Sequence, residues 1–320
     1  MTQMAIYIQG GSGFVGGHLV RRLAADGHQV TVGSRYPKSA QHLCVVPGVK
    51  VVRADPFDAD GMATVLAGHQ VVINLVGILN ERGFGGRGFQ RAHVDLVEAL
   101  IAAAEVATCQ RFLHISSLNA GQGSSHYLLS RGRAEALIAE AARRGPLQTT
   151  VFRPSTIFGP DDSFLNRFAS LLKLSPMLPL ARPEARFQPV FVGDVVEAMA
   201  VSLTDSKSHG QVYELGGSEI WALKPLVVWL KEQLGLTRAV VGLPDLLGRL
   251  QGAVFDFVPG KPFSSDNYRS LLIDSVCSGE LPGFEALGIE PWGMSELAPT
   301  WLCSSGKQDR YQNYRRKAGR

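Results

Sequence analysis

One stretch decides the fold of this chain: Ala5-Ile6-Tyr7-Ile8-Gln9-Gly10-Gly11-Ser12-Gly13-Phe14-Val15-Gly16. A short apolar run typical of a buried strand ends at Gln9, a glycine-rich turn follows at once, and an amphipathic segment begins at Phe14. Glycines in such a turn let the backbone approach a pyrophosphate, and the free N–H groups of the next helix attract its charge. The context predicts a dinucleotide-binding turn rather than a glycine turn without a ligand. The expected contacts are Gly10, Ser12, Gly13, Phe14, Val15 and Gly16.

Strand-like and helix-like segments alternate through the first half of the chain. The further predicted strands are Gln29–Gly33, Lys50–Arg53, Val71–Leu75, Arg111–Ser116 and Gln148–Arg153. The predicted helices between them are Phe14–Ala25, Gly61–Ala67, Phe89–Val106 and Tyr127–Arg143. This alternation predicts an α/β fold of the Rossmann type, a doubly wound parallel sheet whose ligand lies at the carboxyl ends of the strands.

After Pro154 the pattern loosens, and prolines mark loops. The predicted elements are helices Phe164–Leu174, Val195–Leu203, Leu223–Leu234 and Leu243–Val258, with a late strand at Val212–Leu215. Asp194 occupies the position expected of an N-cap. We predict an NAD(P)-binding domain over residues 1–160, to which elements near 187–215 return. A smaller, mostly helical substrate or partner lobe over 161–300 is interleaved with it, and residues 304–320 form a mobile basic tail.

The composition indicates an ordinary globular protein. Of the 320 residues, 45% are hydrophobic and 19% are charged. No apolar run reaches the ~20 residues that a membrane helix requires, and the first strand starts so early that we expect no signal or transit peptide. Cys44, Cys109, Cys277 and Cys303 contain no C-x-x-C pair. This spacing favours reduced thiols in the cytoplasm over a disulfide or zinc framework, and we expect no metal.

The net charge of +4 lies in the C-terminal tail. Against the single Asp309, the tail carries the basic residues Lys307, Arg310, Arg315, Arg316, Lys317 and Arg320. Such a tail is either a solvated terminus or a contact for an acidic partner, nucleic acid or anionic lipid. Nothing else in the sequence indicates nucleic-acid binding, so we expect none. The chain is predicted to be cytoplasmic, with the tail contacting either a protein or the inner face of a membrane.

The end of the second predicted strand bears on the choice of nicotinamide cofactor. An acidic residue there would bind the adenosine ribose hydroxyls and favour NAD(H). The sequence instead reads Gly33-Ser34-Arg35-Tyr36-Pro37-Lys38. Arg35 and Lys38 suit a 2′-phosphate, which arginine binds bidentately. NADP(H) is therefore favoured over NAD(H), the alternative being that both cations stand on the surface by chance.

Three further positions follow the third and fourth predicted strands. Asp55 is either an acceptor for the adenine amino group or a turn residue before Pro56. Val76 and Gly77 come at the end of the fourth strand. Small residues there let the backbone pass beneath a cofactor, although plain strand packing would also explain them.

Tyr127 and Arg131 are four residues apart, which places both side chains on one helix face. Ser116 and Ser117 end the fifth predicted strand. This set resembles the short-chain dehydrogenase/reductase superfamily, whose working unit is a serine, a tyrosine and a lysine four residues after the tyrosine. The resemblance implies that Tyr127 exchanges a proton with a substrate hydroxyl or carbonyl. Arg131 replaces the lysine; it can hold the nicotinamide ribose and favour the phenolate, but its fork would sit differently.

The serine position also departs from the superfamily pattern. Where the strand ends in three serines, the reacting one is typically the third, and that position is Leu118 here. Either Ser116 or Ser117 takes its role, or the site binds cofactor without turnover.

Later segments resemble the extended members of the same superfamily. The stretch Arg153-Pro154-Ser155-Thr156-Ile157-Phe158-Gly159-Pro160 is similar to their Arg-Pro-x-x-x-Tyr-Gly-Pro segment, which passes the nicotinamide and starts the substrate lobe. The resemblance implies that Pro154 and Ile157 contact the cofactor. The stretch from Phe187 to Ala198 resembles their Val-x-Asp-Val-Ala-x-Ala element, for which a structural role is expected.

One branch of the superfamily is closer than the others. Phe158–Ala169, Arg186–Asp194 and Tyr213–Gly217 are similar to the atypical branch that contains the NADPH-binding accessory subunit of respiratory complex I (NADH:ubiquinone oxidoreductase) and its bacterial relatives. This resemblance covers about residues 5–300. It implies bound NADPH and a connection to quinones or respiratory membranes. A tyrosine–lysine pair is often seen in that branch, so Arg131 is a departure.

These observations leave three functions open. The first is an NADP(H)-binding protein that either slowly reduces or oxidises a lipophilic, quinone-like substrate or uses the nucleotide as a structural element. The second is a sugar-nucleotide epimerase or dehydratase, which would favour NAD and an intact lysine. The third is a non-enzymatic assembly or scaffold protein.

Two other features have alternative explanations. Leu243–Val258 is apolar along a broad face, so it either forms a core helix of the small lobe or contacts an isoprenoid tail or bilayer surface. His93, His114 and His126 lack metal-ligand spacing and are interpreted as packing or surface residues.

Overall fold

The computed structural model of the protein describes residues 3–259 and 261–302. Their strands are β1 Ala5–Gln9, β2 Gln29–Ser34, β3 Val49–Arg53, β4 Val71–Asn74, β5 Arg111–Ile115, β6 Gln148–Pro154, β7 Ile157–Phe158, β8 Met177–Leu180, β9 Arg186–Phe187, β10 Val190–Phe191, β11 Gln211–Leu215, β12 Trp221–Ala222 and β13 Ala239–Gly242. Their α-helices are α1 Phe14–Ala25, α2 Ala59–Leu66, α3 Arg87–Phe89, α4 Leu96–Val106, α5 His126–Arg144, α6 Leu165–Leu174, α7 Val192–Ser202, α8 Leu223–Gln233, α9 Asp245–Phe255, α10 Ser265–Ser270, α11 Met294–Leu297 and α12 Pro299–Leu302. A π-helix joins α3 to α4 over Gln90–Asp95, and short 3₁₀ helices span Pro37–Leu43, Ser206–Ser208 and Phe284–Leu287.

Seven strands form one parallel sheet in the order β11-β6-β5-β4-β1-β2-β3. The predicted α/β fold of the Rossmann type is thereby confirmed. The order of the strands reverses between β1 and β4, which is the topological switch point where such sheets bind ligands. Gln9 at the end of β1 is in register with both Gly33 and Asn74, so the three central strands end at one edge.

Side-chain alternation along β1 divides the core into two layers. Ile6 and Ile8 point to one face, where they pack in a cluster that includes α1 and α7. Tyr7 points to the other face, in the cluster that includes α2, α4 and α5. Both faces of the sheet are covered, as a parallel sheet requires.

Most of the predicted boundaries lie within two residues of those observed, and α1 matches at both ends. The N-cap prediction for α7 was wrong. This helix begins at Val192 with Phe191 as its cap, so Asp194 lies inside the first turn. The Asp194 carboxylate is buried and accepts a hydrogen bond from the main-chain N–H of Trp292 at 2.9 Å. Its partner is distant in sequence, which a local pattern cannot show.

The smaller lobe contains α6, α8 and α9 to α12, with a core of its own that includes Leu165, Leu226 and Met294. Three two-stranded sheets accompany these helices: β7 with β10, β9 with β12, and β8 with β13. The prediction of a mostly helical lobe omitted these sheets, because strands of two to four residues leave little periodicity. The division at residue 160 remains a prediction, and the predicted basic tail lies outside the described residues.

Within the described residues, no helix combines the length and the hydrophobicity that crossing a membrane would require.

Candidate functional site

The glycine turn lies at the switch point between β1 and β4. Gly10 has a φ of +87°, which favours glycine, and a side chain there would press within 3.1 Å of the main chain of Leu75 and Val76. A side chain at Gly16 would collide with the Gly10 carbonyl oxygen, so α1 can approach β1 only because this residue is glycine. The Gly13 N–H donates to that carbonyl at 3.1 Å, which closes the turn. The turn therefore forms a backbone cradle that side chains would fill.

The N-terminus of α1 is open at this cradle. Its N-cap is Gly13, which has no side chain to cap the helix, and its first turn contains no acidic residue. Ser12, Phe14 and Val15 are partly exposed around it. The uncapped N–H groups and the positive end of the helix dipole are the features that bind a phosphate. The predicted turn residues are thus brought together, and the cradle they form fits the pyrophosphate of a dinucleotide.

Arg35 and Lys38 are exposed beyond the end of β2. The chain turns there because the Ser34 hydroxyl accepts a hydrogen bond from the Tyr36 N–H at 3.2 Å. Neither cation makes an ion pair within the described part of the chain. Both side chains are therefore available to an anionic ligand.

Asp55 is exposed and forms a turn. One of its carboxylate oxygens accepts a hydrogen bond from the Phe57 N–H at 3.2 Å. The turn alternative is seen directly in this bond, and the contact with adenine stays a prediction.

Gly77 lies against Arg131. A side chain at Gly77 would collide with the Arg131 guanidinium, so the short loop after β4 depends on glycine at this point. Val76 precedes it, and its N–H donates to the Asn74 side chain at 3.0 Å. The fourth strand therefore ends in a turn that accommodates the Arg131 side chain, and the passage of its backbone beneath a cofactor stays a prediction.

Arg131 is only 5% exposed and spans the ends of two strands. One guanidinium nitrogen, Nη1, donates to the carbonyl of Ile115 at 3.1 Å and lies 3.5 Å from that of Val76. The guanidinium carbon is 5.3 Å from the centre of the Tyr127 ring. Tyr127 and Arg131 do share one helix face, as predicted, but the cation lies over the ring, a cation–π arrangement.

The hydroxyl oxygens of both serines after β5 are buried, although Ser117 as a whole is partly exposed. Ser116 is 2% exposed, and neither its Oγ nor that of Ser117 has a hydrogen-bond partner among the described residues. Leu118, at the third position, is buried as well. A buried hydroxyl without a partner is costly, and a polar ligand group is one way to satisfy it. Pro154 lies at the same edge, since the Leu118 N–H donates to the Pro154 carbonyl at 3.1 Å. Ile157 follows in β7, where it pairs with Val190, and its contact with a cofactor stays a prediction.

Sequence reasoning missed the part that His93 plays here. Its Nε2 accepts a hydrogen bond from the Ile78 N–H at 3.1 Å, so Nδ1 carries the proton and donates to the Ser130 hydroxyl at 2.8 Å. Ser130 in turn donates to the Tyr127 carbonyl at 2.8 Å. The His93 ring also meets the Tyr127 ring edge-on, with 5.6 Å between their centres. His93 therefore links the loop after β4 to the helix that carries Tyr127.

His93 and His114 are held neutral. Burial, followed by the charge of Arg131, lowers the pKa of His93 to about 2 and that of His114 to about 3. His114 is fully buried, and its Nδ1 accepts from the Asn74 amide at 3.1 Å. The π-helix over Gln90–Asp95 carries His93, and irregular helices of this kind are frequent at functional sites. The sequence spacing of the histidines, which matches no metal site, gave no indication that His93 contacts Tyr127.

A cavity of about 870 Å³ lies elsewhere, between α5, the edge strand β11 and its neighbour β6. Its lining includes Ala136, Val151 and Val212 but neither the glycine turn nor Tyr127. It is separate from the site described above.

Known proteins resemble this chain over most of its length. The family described as "NAD dependent epimerase/dehydratase family" matches residues 6–216. NADH dehydrogenase (ubiquinone) 1 alpha subcomplex subunit 9 of Arabidopsis thaliana mitochondria is 31% identical over 299 residues, covering 88% of this chain and 73% of that one. Ceramide reductase of Caulobacter vibrioides is 28% identical over 241 residues, covering 71% and 74%.

A solved structure agrees with the fold. A double mutant of DesIV, the dTDP-glucose 4,6-dehydratase of Streptomyces venezuelae, with NAD bound, aligns with a TM-score of 0.72 at 19% identity. The alignment covers 93% of this chain and 95% of that one. With its glycine turn, its parallel sheet and a match that spans residues 6–216, the chain belongs to the NAD dependent epimerase/dehydratase family and is related to subunit 9 of complex I.

Proposed function

We propose that this protein binds NADP(H) in its glycine turn, in preference to NAD(H). The observation that carries the proposal is the position of Arg35 and Lys38, which are exposed and without an ionic partner in the described chain directly after β2. An acidic residue at this point would favour NAD, whereas a guanidinium binds a 2′-phosphate through two parallel hydrogen bonds. The pyrophosphate would lie against Gly10 and Gly13, and Asp55, Val76, Gly77, Pro154 and Ile157 would line the path of the nucleotide.

If the bound nucleotide reacts, each residue around Tyr127 would have a separate role in the reaction. NADPH would supply a hydride to a substrate carbonyl. Tyr127 would donate the proton, and the free hydroxyl of Ser116 or Ser117 would hold the carbonyl oxygen. Arg131 would hold the nicotinamide ribose and stabilise negative charge on the Tyr127 oxygen.

A second candidate, a protein that keeps NADPH as a structural element, is favoured by the anchoring of Arg131. Its guanidinium is fixed by two main-chain carbonyls and lies over the face of the Tyr127 ring. A cation held in this way is poorly placed to follow the tyrosine oxygen through a reaction. Such a protein would serve as an assembly factor or scaffold.

The substrate that we propose is lipophilic and quinone-like. The relative named for ubiquinone supports a quinone-like substrate, and the one named for ceramide supports a lipophilic substrate only. A sugar-nucleotide epimerase or dehydratase is the alternative. Such an enzyme would favour NAD and an intact lysine. Arg131 in place of that lysine, and Arg35 and Lys38 after β2, therefore argue against this alternative.

The cellular place is part of the same proposal. We propose a cytoplasmic protein that works at the inner face of a membrane or on a protein partner, because the relatives include complex I subunits. The basic tail, predicted to make that contact, lies outside the described residues.

The nucleotide identifies the function most directly. We would purify the full chain, denature it and identify the released nucleotide by mass spectrometry. NADPH or NADP⁺ is expected. NAD⁺ or a sugar nucleotide would contradict the cofactor proposal, and the absence of any nucleotide would contradict both candidates. Arg35→Ala should weaken NADPH binding about 10- to 100-fold with little change for NADH. Lys173→Ala removes an exposed cation on α6 and should change the affinity for neither NADPH nor NADH.

Turnover separates the two candidates. NADPH-loaded protein would be mixed with short-chain quinones while NADPH fluorescence is followed, for the wild type and for Arg131→Lys. Oxidation in the wild type supports the reductase. No oxidation in either protein supports the structural role.

A further inference from the structure

The helix α9 packs against the small lobe through the face that carries Gly248 and Gly252. Gly248 and Gly252 are buried, and side chains there would lie within 3.1 Å of Ala181 and 3.2 Å of Ser265. No other residue of α9 is buried to the same degree. The interpretation of this segment as a core helix was therefore wrong, because two glycines give α9 a narrow contact and leave its large side chains outside.

Those large side chains form one apolar surface, here called the outer face of α9. It consists of Leu246, Leu247, Leu250, Val254, Phe257 and Val258. Leu246 and Phe257 at its two ends are 77% and 81% exposed. The face continues onto the loop after β4, since the rings of Phe257 and Phe84 are 5.8 Å apart and Phe84 is also exposed. An exposed apolar surface of this extent marks a binding site.

Cations border the outer face. The Lys261 ammonium lies 4.4 Å from the centre of the Phe84 ring, and Arg249 projects from α9 itself. Asp245 pairs with Arg249 and Arg182, whereas Asp256 keeps its negative charge and accepts a hydrogen bond from the Ser265 N–H at 3.2 Å. The three cations Lys261, Arg249 and Arg182 face two carboxylates, which leaves one net positive charge among these residues.

We propose that the outer face of α9, together with Phe84, docks on a bilayer that contains anionic lipid. Leucine, valine and phenylalanine side chains would enter the headgroup boundary, while Lys261 and Arg249 would meet the phosphates. Aromatic rings flanked by cations are typical of such interfaces. A second copy of the chain fits less well, because a two-fold contact would bring the same positive border against itself.

The docked face adjoins the candidate site. A cavity of about 220 Å³ is lined by Phe84 and Lys261 on this side and by Phe89 and His126 on the other. The Phe89 ring is 6.0 Å from that of Tyr127. The cavity lining also includes the charged residues Glu81, Asp256, Asp266 and Arg269. The docking surface itself does not depend on which nucleotide the protein binds.

Flotation with lipid vesicles tests the proposal. The full chain should float with phosphatidylcholine vesicles that contain phosphatidylglycerol, less with pure phosphatidylcholine, and less at high salt. The double variant Leu250→Glu/Phe257→Glu should lower the partition coefficient at least about tenfold. Leu174→Glu is the matched control, since Leu174 is 85% exposed on α6 of the same lobe, and it should float like the wild type.

Other results would overturn the proposal. Thermal unfolding of each variant establishes that it is folded before its flotation is interpreted. Docking is contradicted if the wild-type protein does not bind vesicles that contain phosphatidylglycerol. It is also contradicted if the folded double variant floats with these vesicles as much as the wild type does. A wild-type dimer that the double variant converts to a monomer, without vesicle binding, would show that a second copy covers the face.

Discussion

The carboxylate of Asp266 accepts a hydrogen bond from the main-chain N–H of Tyr127 at 3.0 Å, and its other oxygen accepts one from the N–H of His126 at 2.7 Å. A residue of the small lobe therefore caps the helix that carries Tyr127, 139 positions away in sequence. The Ser155 hydroxyl, which donates to the Ser275 carbonyl at 2.7 Å, makes a second link between the sheet domain and this lobe. The small lobe thus helps to place Tyr127.

Asp266→Ala should lower the free energy of unfolding by about 1–3 kcal/mol, because two helix N–H groups lose a charged acceptor. Asp266→Asn keeps one carbonyl oxygen and should cost less. Urea unfolding followed by circular dichroism measures both. Glu184→Ala removes an exposed carboxylate and serves as the control. Equal stability of Asp266→Ala and the wild type would show that the contact has no energetic weight.

Gly77→Ala should destabilise the protein by about 1–3 kcal/mol, since the new methyl group would collide with the Arg131 guanidinium. The slimmer ammonium of Arg131→Lys should recover part of this loss in the double variant. Chemical denaturation of the four proteins in the cycle gives the coupling energy.

Gly83→Ala is the matched control for this cycle, because a methyl group there has nothing within 4 Å. It should leave stability unchanged. Strict additivity of Gly77→Ala and Arg131→Lys would contradict a direct contact.

Acid should destabilise the fold through His93 and His114. Their pKa values in the folded protein are about 2 and about 3, against an ordinary value of 6.5. Below pH 6.5 the unfolded chain therefore binds protons that the folded chain does not, and stability is lost as the pH falls towards the folded-state values. Each histidine should contribute about 1.4 kcal/mol per pH unit in that range.

His93→Gln removes one of these two contributions. Urea unfolding of the variant and the wild type between pH 7 and about pH 5 should show a shallower decline for the variant. Parallel curves would indicate that His93 is protonated in the folded protein.

The sequence by itself determined the local elements and their order. The limits of α1 follow from residues next to each other, because Gly13 leaves an open cap and apolar residues recur at helical spacing. The alternation of strands and helices determined the parallel sheet in the same way. The i, i+4 spacing placed Tyr127 and Arg131 on one face of α5 without any tertiary information.

Only the tertiary structure decided what surrounds these elements. His93 reaches Tyr127 because an irregular helix and the loop after β4 converge, and Asp266 caps α5 from another lobe. The outer face of α9 has the periodicity of a core helix, so its pattern cannot show that only Gly248 and Gly252 are covered. The physical reason is common to all three. A sequence records which side chains share a face, whereas the packing of distant segments decides what that face meets.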